Sequence, residues 1–312
     1  MYELALMVER KIGDRQGAAG TMNSIANVLS DEGDHVEARK AYREALAAFR
    51  ELGDKFDEAL TLSNLATLLA DEGNLREAKP MFEQALEIKR NLNNKHSEAY
   101  TLSDLGDLLF AEGDLAGARK LQEDALAIRT QLGEKSTPIE NRFSLTAISL
   151  EEGKPAEALV AAHQVADDFH GAHRQDKEAT AYDLAARCEL ALGKTDEAAR
   201  EMQKAEELSA KTDDKIIATA LAVTRARILA ASGDYSAARK KLDTALGAAT
   251  KSGLMQEQLE ARLALGELEL ESGKVPAGRA RLAALERDAA ANSFLLIARK
   301  AHAASEAAMK PK

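Results

Sequence analysis

A glycine that recurs every 40 residues is the feature that most restricts what this 312-residue chain can fold into. It stands at Gly33, Gly73, Gly113, Gly153, Gly193, Gly233 and Gly273, with no insertion or deletion between copies. A fixed internal period of this length is typical of proteins in which similar supersecondary units stack on one another. We therefore expect an array of repeats rather than a domain built around one thick core.

Each repeat has the pattern of two helices. Apolar residues before the glycine fall at helical spacing, as in residues 59–69. Glycine readily adopts the left-handed conformation that ends a helix. The residue after it can cap the next helix, and we expect such caps at Asp34, Asn74, Asp114 and Asp234.

Two columns of residues keep the same 40-residue step. The column five residues after each glycine is small, which allows two helices to approach closely: it contains Ala38, Ala78, Ala118, Ala158, Ala198, Ala238 and Gly278. The column five residues before each glycine is larger and apolar, and we expect it to fill the space between hairpins: it contains Val28, Leu68, Leu108, Ile148, Cys188, Ile228 and Leu268.

These columns predict an all-α fold, a right-handed superhelix (solenoid) of about seven helical hairpins, as one array over residues 1–312. The repeats are expected at approximately 15–54, 55–94, 95–134, 135–174, 175–214, 215–254 and 255–290. Residues 2–14 align with 42–54, so we expect residues 1–14 to be the second helix of a truncated repeat, and residues 291–308 to be a closing helix. The opening half-hairpin indicates a degenerate cap or, as we favour, a fragment of a longer protein.

Charge and composition exclude several classes of partner. The formal net charge is −10, and residues 1–160 contain 19 Lys and Arg against 29 Asp and Glu, whereas residues 161–312 contain 23 of each. Nucleic acids and anionic membranes both require a basic surface, so we expect neither as a partner. The single cysteine, Cys188, and the lack of a signal sequence in the residues given predict a reducing, cytoplasmic location.

Catalytic and metal-binding motifs are not evident. The sequence has no phosphate-binding glycine loop, no nucleophile elbow and no zinc-protease helix. Two histidines cluster in the segment 167–173, but that segment falls in a link between repeats, and a metal site requires three or four converging ligands. We therefore expect a solvated link, a buried Cys188, no cofactor and no enzymatic activity.

The repeats resemble a known family. The residues Leu62, Leu65, Ala66, Gly73, Ala78, Phe82 and Ala85 resemble the tetratricopeptide motif in identity and spacing. The 40-residue period resembles the longer variant found in kinesin light chains and bacterial signalling proteins. Repeats 4 to 7 match less well, because Thr146, Val165 and Arg225 depart from the motif.

The resemblance implies a concave groove lined by the first helix of each repeat. Transferred by register, the partner-binding residues are Asn23, Asn27, Ser63, Asn64, Thr67, Tyr100, Ser103, Asp104, Asp107, Phe110, Phe143, Asp183, Arg187 and Arg227, with Glu140, Asn141 and Thr224 beside them. The asparagines can grip a peptide backbone and the aromatics can anchor a partner. Alternatively, the asparagines only solvate the face and the aromatics pack between repeats.

The leading hypothesis is a scaffold that binds a protein or peptide, as part of a larger bacterial signalling or regulatory protein. A neutral or basic segment suits the acidic first half. The clamp that holds C-terminal carboxylates in some family members is incomplete here, because Tyr100 and Asp104 occupy positions that would need Lys or Arg. The alternatives are a small-molecule sensor with a pocket around Phe110 and Phe143, or an architectural spacer. The oligomeric state is left open.

Overall fold

The fold is all-α. The computed structural model describes residues 2–210, 212 and 214–308, and over these residues it contains sixteen α-helices and no strand. The helices are α1 (Tyr2–Ile12), α2 (Arg15–Glu32), α3 (His35–Leu52), α4 (Lys55–Asp71), α5 (Leu75–Asn91), α6 (Lys95–Ala111), α7 (Leu115–Gln131), α8 (Thr137–Glu151), α9 (Pro155–Gly171), α10 (Gln175–Ala191), α11 (Thr195–Ser209), α12 (Lys215–Ala231), α13 (Tyr235–Lys251), α14 (Met255–Glu271), α15 (Val275–Ala291) and α16 (Leu295–Ala307). The predicted fold class, a solenoid of helical hairpins, is confirmed.

The chain divides into two compact units, Met1–Leu108 and Leu109–Lys312, with the boundary inside α6. The arrangement of the seven repeats in one array over residues 1–312 stays a prediction. That prediction includes residues 1, 211, 213 and 309–312, which lie outside the described residues.

The recurring glycine forms the turn inside each hairpin. All seven copies have φ between 74° and 86°, a region that side chains with a Cβ disfavour. The amide of Gly33 donates to the carbonyl of Ser30 at 3.0 Å, and the Asp34 side chain accepts from the amide of Glu37 at 3.3 Å. Asp114 and Asp234 cap their helices in the same way. The cap predicted at Asn74 is wrong, because its side chain makes no capping hydrogen bond.

The small-residue column lies at the buried contact between helices. All six alanines of the column, from Ala38 to Ala238, are 0% exposed. At the seventh position a Cβ on Gly278 would lie 2.9 Å from the carbonyl oxygen of Gly266 and 2.8 Å from Cδ2 of Leu270. Alanine and glycine are therefore required here by the close approach of two helices.

The larger apolar column is buried in six of its seven positions. Leu68, Leu108, Ile148, Cys188, Ile228 and Leu268 are all buried. Val28 is 39% exposed, so the expectation that it fills an interhelical space is wrong. It lies in α2, at the start of the array, where α1 is the one described helix that precedes it.

The first unit buries charged side chains at equivalent positions of successive hairpins. Arg50 and Lys55 contact Glu58 at 2.9 and 2.6 Å. Forty residues later, Arg90 and Lys95 contact Glu98 at 3.0 and 2.7 Å. Burial alone would raise the pKa of each glutamate, but the two cations hold it below its usual range.

Lys89 is a buried cation in the same unit. Its Nζ donates to Ser63 Oγ at 2.7 Å and to Thr101 Oγ1 at 2.6 Å. Burial lowers the pKa of Lys89 to about 8, against a smaller opposing effect from Asp104. The Ser63 and Thr101 hydroxyl oxygens lie 3.2 Å apart, so they can bond to each other if the lysine is replaced.

The second unit contains most of the apolar core. One cluster joins α12, α13 and α14 through residues such as Ala226, Leu242 and Leu265. Another joins α10, α11 and α12 through Met202 and Leu221. Over the described residues, no helix combines the length and the apolar character needed to cross a membrane.

Gly278→Ala is expected to lower the free energy of unfolding by about 1–3 kcal/mol, because its methyl group would overlap the carbonyl oxygen of Gly266. The matched control is Gly247→Ala, at an exposed helical glycine where a Cβ meets nothing within 4 Å. That change should stabilise the protein by about 0.5–1 kcal/mol, the usual helix-interior effect. Urea unfolding measures both, and equal effects of the same sign would contradict the close approach.

Lys89→Met is expected to change how stability depends on pH. Because the folded pKa of Lys89 lies below its ordinary value of 10.5, the unfolded state binds more protons between about pH 8 and pH 10.5, and wild-type stability rises with pH in that window. Relative to the Met variant, the wild type should gain about 2 kcal/mol between about pH 7.5 and about pH 10. Parallel urea titrations measure the difference, and a constant difference would show that Lys89 titrates normally.

Candidate functional site

The second unit encloses a cavity of about 130 Å³ between its first helices. The lining residues come from the end of α6 and from α8, α10, α12, α14 and α16, which are the even-numbered helices of successive hairpins. The apolar part of the lining includes Phe110, Val223 and Leu296. The charged part contains the carboxylates of Glu151, Asp183, Glu257 and Glu260 and the cations of Arg187, Arg227 and Lys300.

The 40-residue period explains why these side chains meet. Arg187 and Arg227 are 40 residues apart and occupy the same position in α10 and α12. Glu260 and Lys300 share a second position in α14 and α16. Because α10 packs on α12, α12 on α14 and α14 on α16, equivalent positions lie next to one another.

Carboxylates surround the three cations of the lining. Lys300 Nζ lies 2.6 Å from Glu151 Oε1, and Arg187 Nη2 lies 3.5 Å from the same oxygen. Arg227 contacts Glu260 at 3.4 Å and Glu267 at 3.3 Å. Each cation therefore already has at least one anionic partner.

The pairing shifts the titration of the groups on α12 and α14. Burial opposes the charged form of Arg227, but Glu267 and Glu260 outweigh it and raise the pKa of the guanidinium. Burial likewise works against the ionised form of Glu260, yet Lys300, Arg227 and Arg187 hold the pKa of that carboxyl below its usual range. Both groups are charged at neutral pH.

Asp183 behaves differently from the other carboxylates. Its side chain lies in α10 beside Arg187, Thr224 and Arg227, and burial raises the pKa of its carboxyl in spite of these neighbours. Thr224 supplies a hydrogen bond to the carboxylate. Its Oδ1 is buried and has no hydrogen-bond partner in the described part of the chain.

Closure of the cavity depends on the last helix. Lys300 of α16 reaches Glu151 at the end of α8, and Arg299 Nη2 donates to the carbonyl oxygen of Gly113. These pairs join residues 149 and 186 positions apart in the chain. The predicted closing helix 291–308 thus contributes lining residues to the cavity.

Of the predicted partner-binding residues, the structure places four around this cavity: Phe110, Asp183, Arg187 and Arg227. Thr224, which was expected beside them, also lines it. Phe143 is not part of the lining. Its ring packs against Phe169, with 6.5 Å between centroids, and against the apolar core of α8, α9 and α10.

The predicted residues of the first unit form separate polar contacts. Asn27 Oδ1 accepts from Tyr42 Oη at 2.6 Å and from Asn64 Nδ2 at 3.2 Å. Asn23 is buried, with no hydrogen-bond partner for its Oδ1 among the described residues. Thr67 is exposed, and its hydroxyl donates to the carbonyl of its neighbour Ser63.

Ser63 is buried between α4, α5 and α6. Its hydroxyl accepts from Lys89, which holds it inside the unit. On α6, Tyr100 is 39% exposed and meets His96 edge to face at 5.0 Å. Ser103 donates to the carbonyl of Ala99.

The other predicted residues near this region have varied surroundings. Asp104 is half-buried, and Asp107 is exposed. Glu140 lies 3.4 Å from Arg174 across hairpins. Asn141 is buried between Gln122 and Arg129, at 2.6 and 2.5 Å, which makes it part of the interior. The partner-binding role of the predicted set stays a prediction.

Sequence reasoning missed Glu151, Glu260 and Lys300. Glu260 and Lys300 fall in the column of Tyr100 and Glu140, so the 40-residue register, extended into α14 and α16, would have found them. Glu151 gave no such signal, because acidic residues recur at the hairpin turns for local reasons. Its position in the cavity follows from its pairing with Lys300, which lies 149 residues away.

Two other regions, a depression on α3 and the histidine-containing segment 167–173, do not have the features of a binding site. A depression of about 520 Å³ on α3 is lined by residues of that helix alone, and its Arg39 and Arg43 pair with Glu72 and Glu77. The expectation that the segment 167–173 is a solvated link is wrong for residues 167–171, which form the end of α9, and the His170 ring lies 3.2 Å from the Glu178 carboxylate of α10. Over the described residues, no group of three or more His, Cys, Asp and Glu side chains could hold a metal ion.

Sequence models of one family match two stretches of the chain, one in each half. Models described as tetratricopeptide repeat match residues 17–91, 57–131 and 223–294, which together are more than half of the chain. No curated protein matches the sequence significantly.

Solved structures of similar fold include several Rap proteins. The apo form of RapI is 11% identical, with a TM-score of 0.67, over 93% of this chain and 99% of that one. The Rap conjugation gene regulator of plasmid pLS20, solved with the Phr* peptide, is 13% identical, with a TM-score of 0.70, over 97% of this chain and 80% of that one. A putative kinesin light chain repeat protein of Podospora anserina is 21% identical, with a TM-score of 0.51, over 61% of this chain and 94% of that one. At these identities the likeness is one of fold.

Asp183→Asn is expected to stabilise the protein at neutral pH. Because burial raises the folded pKa of Asp183 above its ordinary value of 3.8, its ionisation lowers the unfolding free energy as pH rises from about 3.8 through the raised pKa. The neutral amide removes that cost, so the advantage of the variant should vanish near pH 3.8. Urea unfolding at pH 7 and pH 4 measures this. Asp124→Asn, the same change at an exposed site in α7, is the matched control.

Proposed function

This chain belongs to the tetratricopeptide repeat family, and from that membership we propose that it is a scaffold that binds a protein or peptide at the cavity of its second unit. The observation that carries the proposal is the cavity itself, where five first helices and the end of a sixth converge with paired charged groups and the buried carboxylate of Asp183. Inner helices of stacked hairpins form the usual recognition surface of repeat proteins.

The size of the cavity favours part of a polymer over a whole small molecule. Pockets that enclose drug-sized ligands usually measure about 300–1,000 Å³, whereas this one measures about 130 Å³. A single side chain or chain end fits that volume, while the rest of a peptide would lie along the helices outside. The similar fold of the pLS20 conjugation gene regulator, which was solved with the Phr* peptide, supports a peptide ligand.

The same likeness supports a regulatory role. A conjugation gene regulator is among the proteins of similar fold, and this agrees with our proposal of a part in bacterial signalling or regulation. We propose a cytoplasmic, non-enzymatic protein whose ligand is a neutral or basic segment. A small-molecule sensor is the second candidate, favoured by the enclosure of Phe110 in the cavity.

The test is selection of binders from a displayed peptide library, followed by a pair of variants on α12. Ala220→Trp places a bulky ring in the cavity lining, whereas Ala218→Trp adds the same ring at an exposed position of the same helix outside the lining. Selected peptides should lose at least tenfold in affinity for the Ala220 variant and keep their affinity for the Ala218 variant. Calorimetry or fluorescence anisotropy measures both.

Two outcomes would count against the proposal. A library that yields no binders would favour the small-molecule sensor or the architectural spacer. Binders that tolerate both tryptophans equally would place recognition elsewhere on the chain.

A further inference from the structure

Asp183 has an acceptor atom that the protein itself leaves unused. The residue is 7% exposed, and its Oδ1 is buried without a hydrogen-bond partner in the part of the chain that the structure describes. Thr224 supplies a bond to the carboxylate, and the side chain lines the cavity. A buried carboxylate oxygen without a donor is costly, and a ligand that brings a donor removes that cost.

The cations of the cavity are already paired, so they do not favour an anionic ligand. Lys300 is bound to Glu151, and Arg227 lies between Glu260 and Glu267. An incoming carboxylate or phosphate would have to displace these partners and would meet the negative charge of Asp183. A cationic group meets an acceptor that has no competing donor at its Oδ1.

The chemistry of that acceptor distinguishes two kinds of cation. A guanidinium binds a carboxylate best through two parallel hydrogen bonds, which require both oxygens. At Asp183, Oδ1 is the oxygen that is buried without a partner, while Thr224 also acts on the carboxylate through a side-chain hydrogen bond. A primary ammonium is a compact point charge and can bind a single oxygen.

The rest of the lining suits an aliphatic stem behind such a group. Phe110, Val223 and Leu296 provide apolar surface in the same cavity. The volume of about 130 Å³ accommodates one side chain or one chain end. A lysine side chain combines an apolar stem with an ammonium tip, and an amino-terminal residue presents the ammonium directly.

We propose that the cavity is a recognition pocket for a primary ammonium group of a peptide, contributed by a lysine side chain or a free amino terminus and bound by Asp183. This inference rests on the proposed function and names the ligand chemistry of the same site. The ammonium donates to Asp183 Oδ1 while the adjoining peptide lies along the first helices.

The experiment uses three displayed peptide libraries with the full chain. The first has a free amino terminus and no lysine, the second has an acetylated terminus and lysine, and the third has an acetylated terminus and no lysine but includes arginine. Binders from each are measured against the wild type, Asp183→Asn and Ala220→Trp. Thermal melts establish that the variants are folded.

The first or second library should yield cavity binders that lose about tenfold or more in affinity for Asp183→Asn, because a charge-assisted hydrogen bond is lost. Success with the first library assigns the ammonium to the chain end, and success with the second assigns it to lysine. Acetylation of the binder's terminus or lysine should cause the same loss.

Other results would overturn the inference. Cavity binders from the third library that depend on Asp183 would assign the pocket to a guanidinium or a neutral donor. Binders that are sensitive to Ala220→Trp but indifferent to Asp183→Asn would leave the proposed function intact and remove the ammonium assignment. No binders from any library would count against the proposed function itself.

Discussion

The close contact between helices is the constraint on which the rest of the structure depends. The column from Ala38 to Ala238 is 0% exposed at each alanine, and at Gly278 even a methyl group would overlap the backbone of Gly266. Small residues at these positions allow the helices to approach until the larger apolar side chains around them interlock. The left-handed glycine then reverses the chain after a fixed length, so every hairpin starts in the same register. Because the register is fixed, residues 40 positions apart in the sequence lie in rows along the stacked helices.

Those rows explain the composition of the cavity. First helices that pack on one another bring Arg187 beside Arg227, and Glu260 near Lys300. The neighbouring guanidinium groups of Arg187 and Arg227 would repel each other. The carboxylates of Glu151, Glu260 and Glu267 offset that repulsion. Asp183 is the exception, because its column contains Ser103 and Phe143 in the preceding repeats and Val223 in the next. It has no equivalent acid or base in its own row, and Arg187, Thr224 and Arg227 only partly offset the burial that raises the pKa of its carboxyl.

Two buried charged groups, one in each unit, differ in how they are satisfied. In the first unit, Lys89 is buried but its ammonium is bonded to two hydroxyl groups, so this charge is satisfied without a ligand. In the second, the hydrogen bonds of Asp183 are incomplete. A satisfied buried polar group serves stability, whereas an unsatisfied one beside a cavity is a candidate for binding. Asp183 combines an unpartnered buried atom with a place in the lining of a cavity, which makes it the candidate in the second unit.

The sequence by itself determined the helical-repeat fold, the glycine turns and the family, because local rules of helix termination and small-residue packing repeat seven times without a change of register. The family resemblance, transferred by register, also named Phe110, Asp183, Arg187 and Arg227, which line the cavity. The sequence could not distinguish Phe143, whose ring packs in the core against Phe169, from Asp183, which falls in the same column and lines the cavity. It could not find the pairing of Lys300 with Glu151, nor show that Asp183 Oδ1 lacks a partner. The tertiary structure decided these points, because they depend on contacts between residues far apart in the chain and on which side chains are buried away from water. Neither the contacts nor the burial leaves a periodic pattern in the sequence.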